Sequence, residues 1–201
     1  MSRKKDGEKR KRILDSAIKV FARTGYSDAR MQDVAKEADV SHGTVYVYFK
    51  NKDALFVSIF QEILGELIKY IGSEIQKEKN AEDKLRRMIS MQLDIIEENP
   101  DLTKLILIEF PRSGNFLNDS NTDVLSKYID LISDVIKQGI DGGIFSIGIR
   151  TDIIATMIYA GIQGIATRWI LDGMNYSLKV MHKEITDILL NGLKFRDPQI
   201  K

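Results

Sequence analysis

The sequence predicts an all-α protein: a three-helix front of about 50 residues followed by a larger helical body. Three observations predict it. Apolar residues recur at three- and four-residue steps along nearly the whole chain, the spacing of one face of a helix. Helix start and stop signals punctuate the joints between those stretches. No alternating apolar–polar run exceeds a few residues, and "GGIFSIGIRT" (142–151) is the only segment with strand character. At 201 residues the chain is long enough to bury a sizeable core.

Taken in order, the first helix spans roughly residues 8–24, where Ile13, Ala17, Val20 and Phe21 share a face and Gly25 supplies the stop. A short second helix, 31–38, gathers Val34, Ala35 and Ala38 on one side. The third, 41–49, is capped by Ser41, because a serine oxygen can accept an otherwise unpaired amide of the first turn. A long fourth helix starts after Asn51 and carries Leu55, Ile59, Ile63, Leu67 and Ile71 at four-residue steps until "QKEKN". Further helices follow at 81–98, at 100–110 opened by Asn99-Pro100, and at 123–141, 152–172 and 177–195, with "PRSGNFLND" (111–119) as a loop. The longest apolar tract, "IIATMIYAGIQGIATRWIL" (153–171), is interrupted by Gln163 and Arg168. A buried helix of a soluble protein is therefore expected, and no membrane partner.

Composition excludes several function classes. Lys and Arg number 30 against 29 Asp and Glu, but the distribution is uneven: residues 1–56 hold 13 basic and 8 acidic side chains, a net +5, and residues 57–201 hold 17 and 21, a net −4. A basic front suits a polyanion. Cysteine is absent and histidine occurs twice. That removes thiol chemistry and most acid/base and metal constellations, so neither an enzyme nor a bound metal or cofactor is expected. "MSRKKDGEKRKR" lacks the apolar core of a signal peptide, and a cytoplasmic location is expected.

The stretch "VSHGTVYVYFKNKDALF" (40–56) concentrates the chemistry. On a helical wheel Val45 and Phe49 face inward, while Gly43, Thr44, Val47 and Tyr48 face outward with His42 and Tyr46 at the borders. Gly43 costs about 1 kcal/mol relative to Ala within a helix, which a rigid surface pressing on the backbone would justify. Thr44, Tyr46 and Tyr48 offer hydroxyls suited to phosphate oxygens, and Lys52 sits at a helix N-terminus that favours anions. This is a surface for a DNA major groove, or else an ordinary amphipathic helix with exposed aromatic rings.

"RILDSAIKVFARTGYSDARMQDVAKEADVSHGTVYVYFKNKDAL" resembles the DNA-binding front of the TetR (tetracycline-repressor) family of bacterial regulators over nearly all of residues 12–55. The specific part is Gly43-Thr44-Val45-Tyr46, then Tyr48-Phe49 and Lys52, preceded by Gly25-Tyr26 and Val34-Ala35. The resemblance implies that helices two and three form a helix-turn-helix, and that Gln32, Ser41, His42, Gly43, Thr44, Tyr46, Tyr48 and Lys52 contact DNA. Gln32 and His42 suit base edges, and Thr44, Tyr48 and Lys52 suit phosphates; His42 reads equally as a residue that only fills its helix position. The sequence departs from the family at Asp39, where Gly is usual, and at Ala29 and Arg30, where hydroxyl residues are common. The basic run Arg3, Lys4, Lys5, Lys9, Arg10, Lys11 and Arg12 is either a minor-groove arm or a solvated tail.

For the rest of the chain the resemblance implies a split into residues 1–51, a DNA-binding domain with its basic tail, and residues 52–201, a domain for effector binding and dimerisation. It makes the last two helices a homodimer interface, which the stripe Leu178, Met181, Ile185, Ile188, Leu189 and Gly192 fits as well as it fits an intrachain core. It also implies a small-molecule pocket, with Ile63, Leu67, Tyr70, Ile96, Leu105, Ile108, Phe110, Phe116, Ile132, Tyr159, Gln163 and Trp169 as candidates. An apolar, fatty acyl-like effector is favoured over a planar one stacking on Trp169 or Tyr159. The expected function is a ligand-responsive dimeric regulator, a repressor on a palindromic operator in double-stranded DNA; the alternative is a structural DNA-binding protein without an effector. The fourth helix, which continues from the DNA surface into the body, is the expected carrier of the effector's signal.

Overall fold

A computed structural model describes residues 2–113, 119–146, 148 and 150–193, without the side chains of 2–5 and 119–122. The chain divides into two compact units, Met1–Glu66 with Pro100–Val124, and Leu67–Asn99 with Leu125–Lys201.

The first unit opens with α1 (Ser2–Thr24), which begins six residues ahead of the expected start, so the backbone of the basic run is helical. Ile13, Ala17, Val20 and Phe21 are fully buried. Gly25 takes φ 78° and ends the helix in the left-handed conformation that only glycine adopts at little cost. The helix-turn-helix follows as α2 (Met31–Glu37) and α3 (His42–Tyr48). Between them Asp39 takes φ 50°, the turn conformation expected of a residue standing where glycine is usual. Arg30 at the start of α2 makes no side-chain cap, whereas Ser41 accepts the Thr44 amide at 3.2 Å.

α4 (Lys52–Ser58) is capped by Asn51, which accepts the Ala54 amide at 2.7 Å. The single helix expected here contains a π-helical segment, Ile59–Leu64, before α5 (Gly65–Ile75). The apolar spacing supplies a reason. Each four-residue step overshoots one α-helical turn by about 40°, so a stripe of four such steps would spiral off its core; a wider turn absorbs the overshoot. Accordingly Leu55, Ile59 and Ile71 stay buried.

A helical run packs against α1 within this unit: α7 (Pro100–Lys104), a second π segment (Leu105–Glu109) and α8 (Phe110–Arg112). Its Phe110 stacks on Phe60 with ring centroids 3.2 Å apart, and Phe56 meets Phe21, Phe60, Phe110 and Tyr26. Each buried ring of this size contributes about 1.5–3 kcal/mol by leaving water.

The second unit is built on α6 (Ala81–Glu98), against which α10 (Thr151–Leu171) and α11 (His182–Asn191) pack, with α9 (Asp119–Asp141) contributing from Leu125 onward. A 3₁₀ turn, Lys179–Met181, leads into α11, and Glu97 anchors it by accepting the Lys179 amide at 2.8 Å and the Ser177 hydroxyl. The strand-like segment after α9 forms a turn instead, for Phe145 folds back so closely on Gly139 that a Cβ there would sit 2.1 Å from the ring. No strand occurs among the described residues.

The apolar tract 153–171 departs from expectation. α10 is long and apolar enough to cross a membrane by length and composition, yet it is buried on one side only. Ile154, Ala155, Ile158, Ile162, Ala166 and Trp169 are inside, while Ile153, Met157, Gly161, Gly164 and Leu171 are exposed.

Candidate functional site

The outward surface of α3 is assembled as its sequence demands. Val45 and Phe49 are buried, and Ser41, His42, Gly43, Tyr46 and Val47 are exposed, Val47 at 80%. His42 and Tyr46, one turn apart, set their rings edge to face at 5.0 Å. A Cβ added to Gly43 would meet nothing within 4 Å, so no contact inside the chain asks for glycine there. Gln32 is exposed on α2, beside buried Met31 and Val34. Two helices joined by a tight turn thus present amide, imidazole and hydroxyl groups to solvent, the inventory that reads base edges and grips phosphates.

Two of the expected phosphate ligands have partners within the chain. The Tyr48 hydroxyl donates to the Asp6 carboxylate of α1, and that bond raises the tyrosine's pKa. A phosphate at this position has to displace a carboxylate. Lys52 is engaged more fully: its ammonium donates to the carbonyl oxygens of Tyr26, Ser27 and Ala29 at 2.7, 2.9 and 3.1 Å. An ammonium has three N–H groups, and all three are used. Lys52 here holds the turn between α1 and α2, and leaves no donor over for DNA.

Sequence reasoning missed the other supports of that turn. Tyr26 donates its hydroxyl to Asp53 and its amide to Glu109 at 2.8 Å, and Lys104 donates to the Ala22 carbonyl at 2.7 Å. Lys104 and Glu109 lie some eighty residues downstream of their partners, and no local pattern links them. Arg10, assigned above to the basic run, pairs with Glu62 and lies over the Phe49 ring at 4.6 Å. It is a packing residue as well as a basic one.

The effector candidates do not form one described group. Ile63, Leu105, Ile108 and Phe110 belong to the first unit; Leu67, Tyr70, Ile96, Ile132, Tyr159, Gln163 and Trp169 belong to the second. Phe116 lies outside the described residues. Leu105, Phe110, Ile96, Ile132 and Trp169 are core residues, and Tyr70 is 52% exposed. Trp169 spends its indole N–H on the Tyr176 carbonyl at 2.7 Å. Tyr159 and Gln163 remain together on α10, and Tyr159 stands edge-on to the buried Tyr128, whose hydroxyl donates to Gln92 at 2.7 Å. Gln92 and Tyr128 were also missed, although each is a polar residue on an otherwise apolar helix face.

The predicted dimer stripe divides. Leu178 and Ile185 are buried within the chain, while Met181 and Ile188 are exposed, Ile188 at 74%. Among the described residues, no group of three or more His, Asp or Glu side chains is placed to hold a metal ion.

Comparison with known proteins agrees with this geometry. Residues 13–59 match the bacterial regulatory proteins of the tetR family, and residues 60–192 match the C-terminal region of YsiA-like proteins. A fatty acid metabolism regulator protein of Bacillus subtilis is 27% identical over 90% of this chain and 93% of its own. Among solved structures, the fatty acid degradation regulator FadR of Bacillus halodurans is 29% identical with a TM-score of 0.85, covering 92% of this chain and 99% of that one. FadR of Bacillus subtilis in complex with stearoyl-CoA is 27% identical, also at 0.85, over 90% and 98%. A helix-turn-helix presenting these side chains, and matches that together run from residue 13 to residue 192, lead to one conclusion: this chain is a non-enzymatic DNA-binding transcriptional regulator that belongs to the tetR family.

Proposed function

We propose that the protein is a cytoplasmic homodimeric repressor that holds a palindromic operator through two copies of α3 and lets go when a fatty acyl compound enters its helical body. The observation that carries the DNA-binding half is the outward face of α3, where Gly43 meets nothing within 4 Å and Val47 and the paired rings of His42 and Tyr46 are turned to solvent. In this reading Gln32 and His42 touch base edges, while Ser41, Thr44, Tyr46 and Tyr48 position the backbone. Lys52 acts one step back by fixing the turn that sets α1 against α2.

Dimerisation rests on the bare side of the second unit. Ile153, Met157 and Leu171 on α10 are exposed apolar side chains, as are Val180, Met181 and Ile188 at and before α11, and the Cβ positions of Gly161 and Gly164 face open space. A second copy is the partner that covers such a surface by two-fold symmetry and lets helices approach closely at the glycines. The acyl reading draws on the two FadR relatives, one of them solved with stearoyl-CoA. Trp169, buried with its N–H satisfied, offers no open ring for a planar effector to stack on. The helical run Lys52–Ile75 passes from the first unit into the second, so a displacement of its far half can spoil the spacing of about 34–36 Å that two recognition helices need.

Footprinting of the DNA flanking the protein's own gene, with and without stearoyl-CoA, is the test. Two protected half-sites one helical turn apart, lost on addition of the acyl compound, support the proposal. Diffuse coverage indifferent to the compound would make the protein a structural DNA binder instead.

A further inference from the structure

The interior of the second unit holds a polar group with hydrogen-bonding capacity to spare. Gln92 on α6 and Tyr128 on α9 are 8% and 6% exposed. Their mutual bond, from the Tyr128 hydroxyl to Gln92 Oε1 at 2.7 Å, is the hydrogen bond that Gln92 makes among the described residues. It occupies the oxygen of the amide and leaves both N–H donors. Tyr159 on α10 sets its ring edge-on to Tyr128, with centroids 6.0 Å apart, and Gln163 faces the Tyr159 hydroxyl one turn further along. The Gln92 nitrogen is not sealed, since among the described residues His182 Nε2 is the buried side-chain atom without a hydrogen bond, so the two amide donors stay open to an arriving acceptor.

The surroundings say what can arrive. The positions three and four residues away from Gln92, Tyr128, Tyr159 and Gln163 along their own helices hold no charged side chain. Burial raises the pKa of both tyrosines, as a dry setting without a neighbouring cation does. A carboxylate here would bring a charge that no side chain at those positions balances, whereas a carbonyl oxygen accepts the spare N–H without that penalty.

We propose that Gln92, oriented by Tyr128 and flanked by Tyr159, binds the uncharged carbonyl of an acyl thioester or ester, and that the same group excludes the free fatty acid. This rests on the acyl reading above and names which end of the molecule the body inspects. The thioester differs from its thioether only at the atom in question, so the pair isolates the subsite from the apolar chain and the headgroup.

The experiment measures equilibrium binding of stearoyl-CoA and of S-octadecyl-CoA, which lacks the carbonyl, to the full chain. Wild type is expected to prefer the thioester about 5- to 10-fold, one net hydrogen bond. Gln92→Leu is expected to bring that ratio to about one while its thioether affinity holds, with a lower melting temperature because the buried Tyr128 hydroxyl loses its acceptor. Tyr128→Phe, which frees the amide to turn away, is the second variant and is expected to lower the ratio about twofold or more. In the same assay methyl stearate should bind wild type at least about tenfold tighter than stearate. Binding of both CoA compounds with a ratio unchanged by either variant overturns the subsite alone, and so does stearate binding as tightly as its ester. Failure of both CoA compounds to bind wild type overturns the acyl reading and the subsite with it.

Discussion

The DNA-reading front and the helical body treat polar and apolar side chains in opposite ways. In the front, rings and aliphatics turn inward around Phe21 and Phe56, and amide, imidazole and hydroxyl groups turn outward. In the body, Gln92 and Tyr128 are inside, while Met157, Leu171, Val180 and Ile188 are outside. Each inversion carries a cost that the chain alone does not recover. The front's polar face suits a polyanion; the body leaves an apolar face outside and amide donors inside, for which a second copy and an acyl carbonyl are the complements proposed above.

The largest expected effect tests the front at Gly43. Gly43→Leu meets no obstacle within the chain and removes a glycine from a helix, so the melting temperature should hold or rise by up to about 3 °C. Specific DNA binding should nevertheless fall about 100-fold or more, because the added side chain occupies the space a base edge needs. Retained operator affinity in an electrophoretic shift assay would mean that α3 is not pressed against DNA at this point. The body's counterpart is Gly161→Leu, which also meets open space within its own chain. It is expected to weaken self-association about 100-fold, seen as monomer by sedimentation at micromolar concentration, with the helical content unchanged. An intact dimer would place the interface elsewhere.

These two glycines also mark how far the sequence alone could be read. Gly25, Asp39, Ser41 and Asn51 fix the front through bonds that span four residues or fewer, and each was legible as a stop, a turn or a cap. Lys52 was legible as a cation at a helix start but not as the holder of a turn twenty-three to twenty-six residues upstream. Glu109 and Lys104 carried no local signal at all. In the body, the apolar stripes predicted helices correctly but could not say which stripe faces inward, since α10 is apolar around nearly its whole circumference. Gln92 and Tyr128 did carry a signal, being polar residues amid Met88, Ile89, Ile96, Ile132 and Val135; with no charge and no motif about them, they passed as ordinary helix positions.

A smaller effect sharpens the assignment of Lys52. If the ammonium serves the turn, Lys52→Ala removes three hydrogen bonds to carbonyls and should lower the melting temperature by about 3–6 °C. The salt dependence of DNA binding should then keep its slope. A phosphate contact predicts the reverse: a slope smaller by about 0.9 and no loss of stability. Melting curves and binding at several salt concentrations on one preparation separate the two.

The smallest effect belongs to the body's surface, at Asp187 on α11. Its carboxylate accepts from Lys183 at 2.9 Å and from Arg86 of α6 at 2.7 Å, and these donors lower its pKa to about 2. The unfolded chain returns the group to about 3.9. Because the folded pKa is the lower one, the stabilisation is complete above about pH 4 and is lost as pH falls through about 2. Asp187→Asn should therefore flatten the fall in melting temperature between about pH 4 and pH 2, with little change near neutrality beyond the lost pair. Arg86 is shared with Glu82 at 2.9 Å, so the variant leaves that cation partnered rather than stranded. A wild-type acid profile reproduced without change by Asp187→Asn would show that this link between α6 and α11 contributes nothing measurable, and that the buried apolar face of α11 holds the helix by itself.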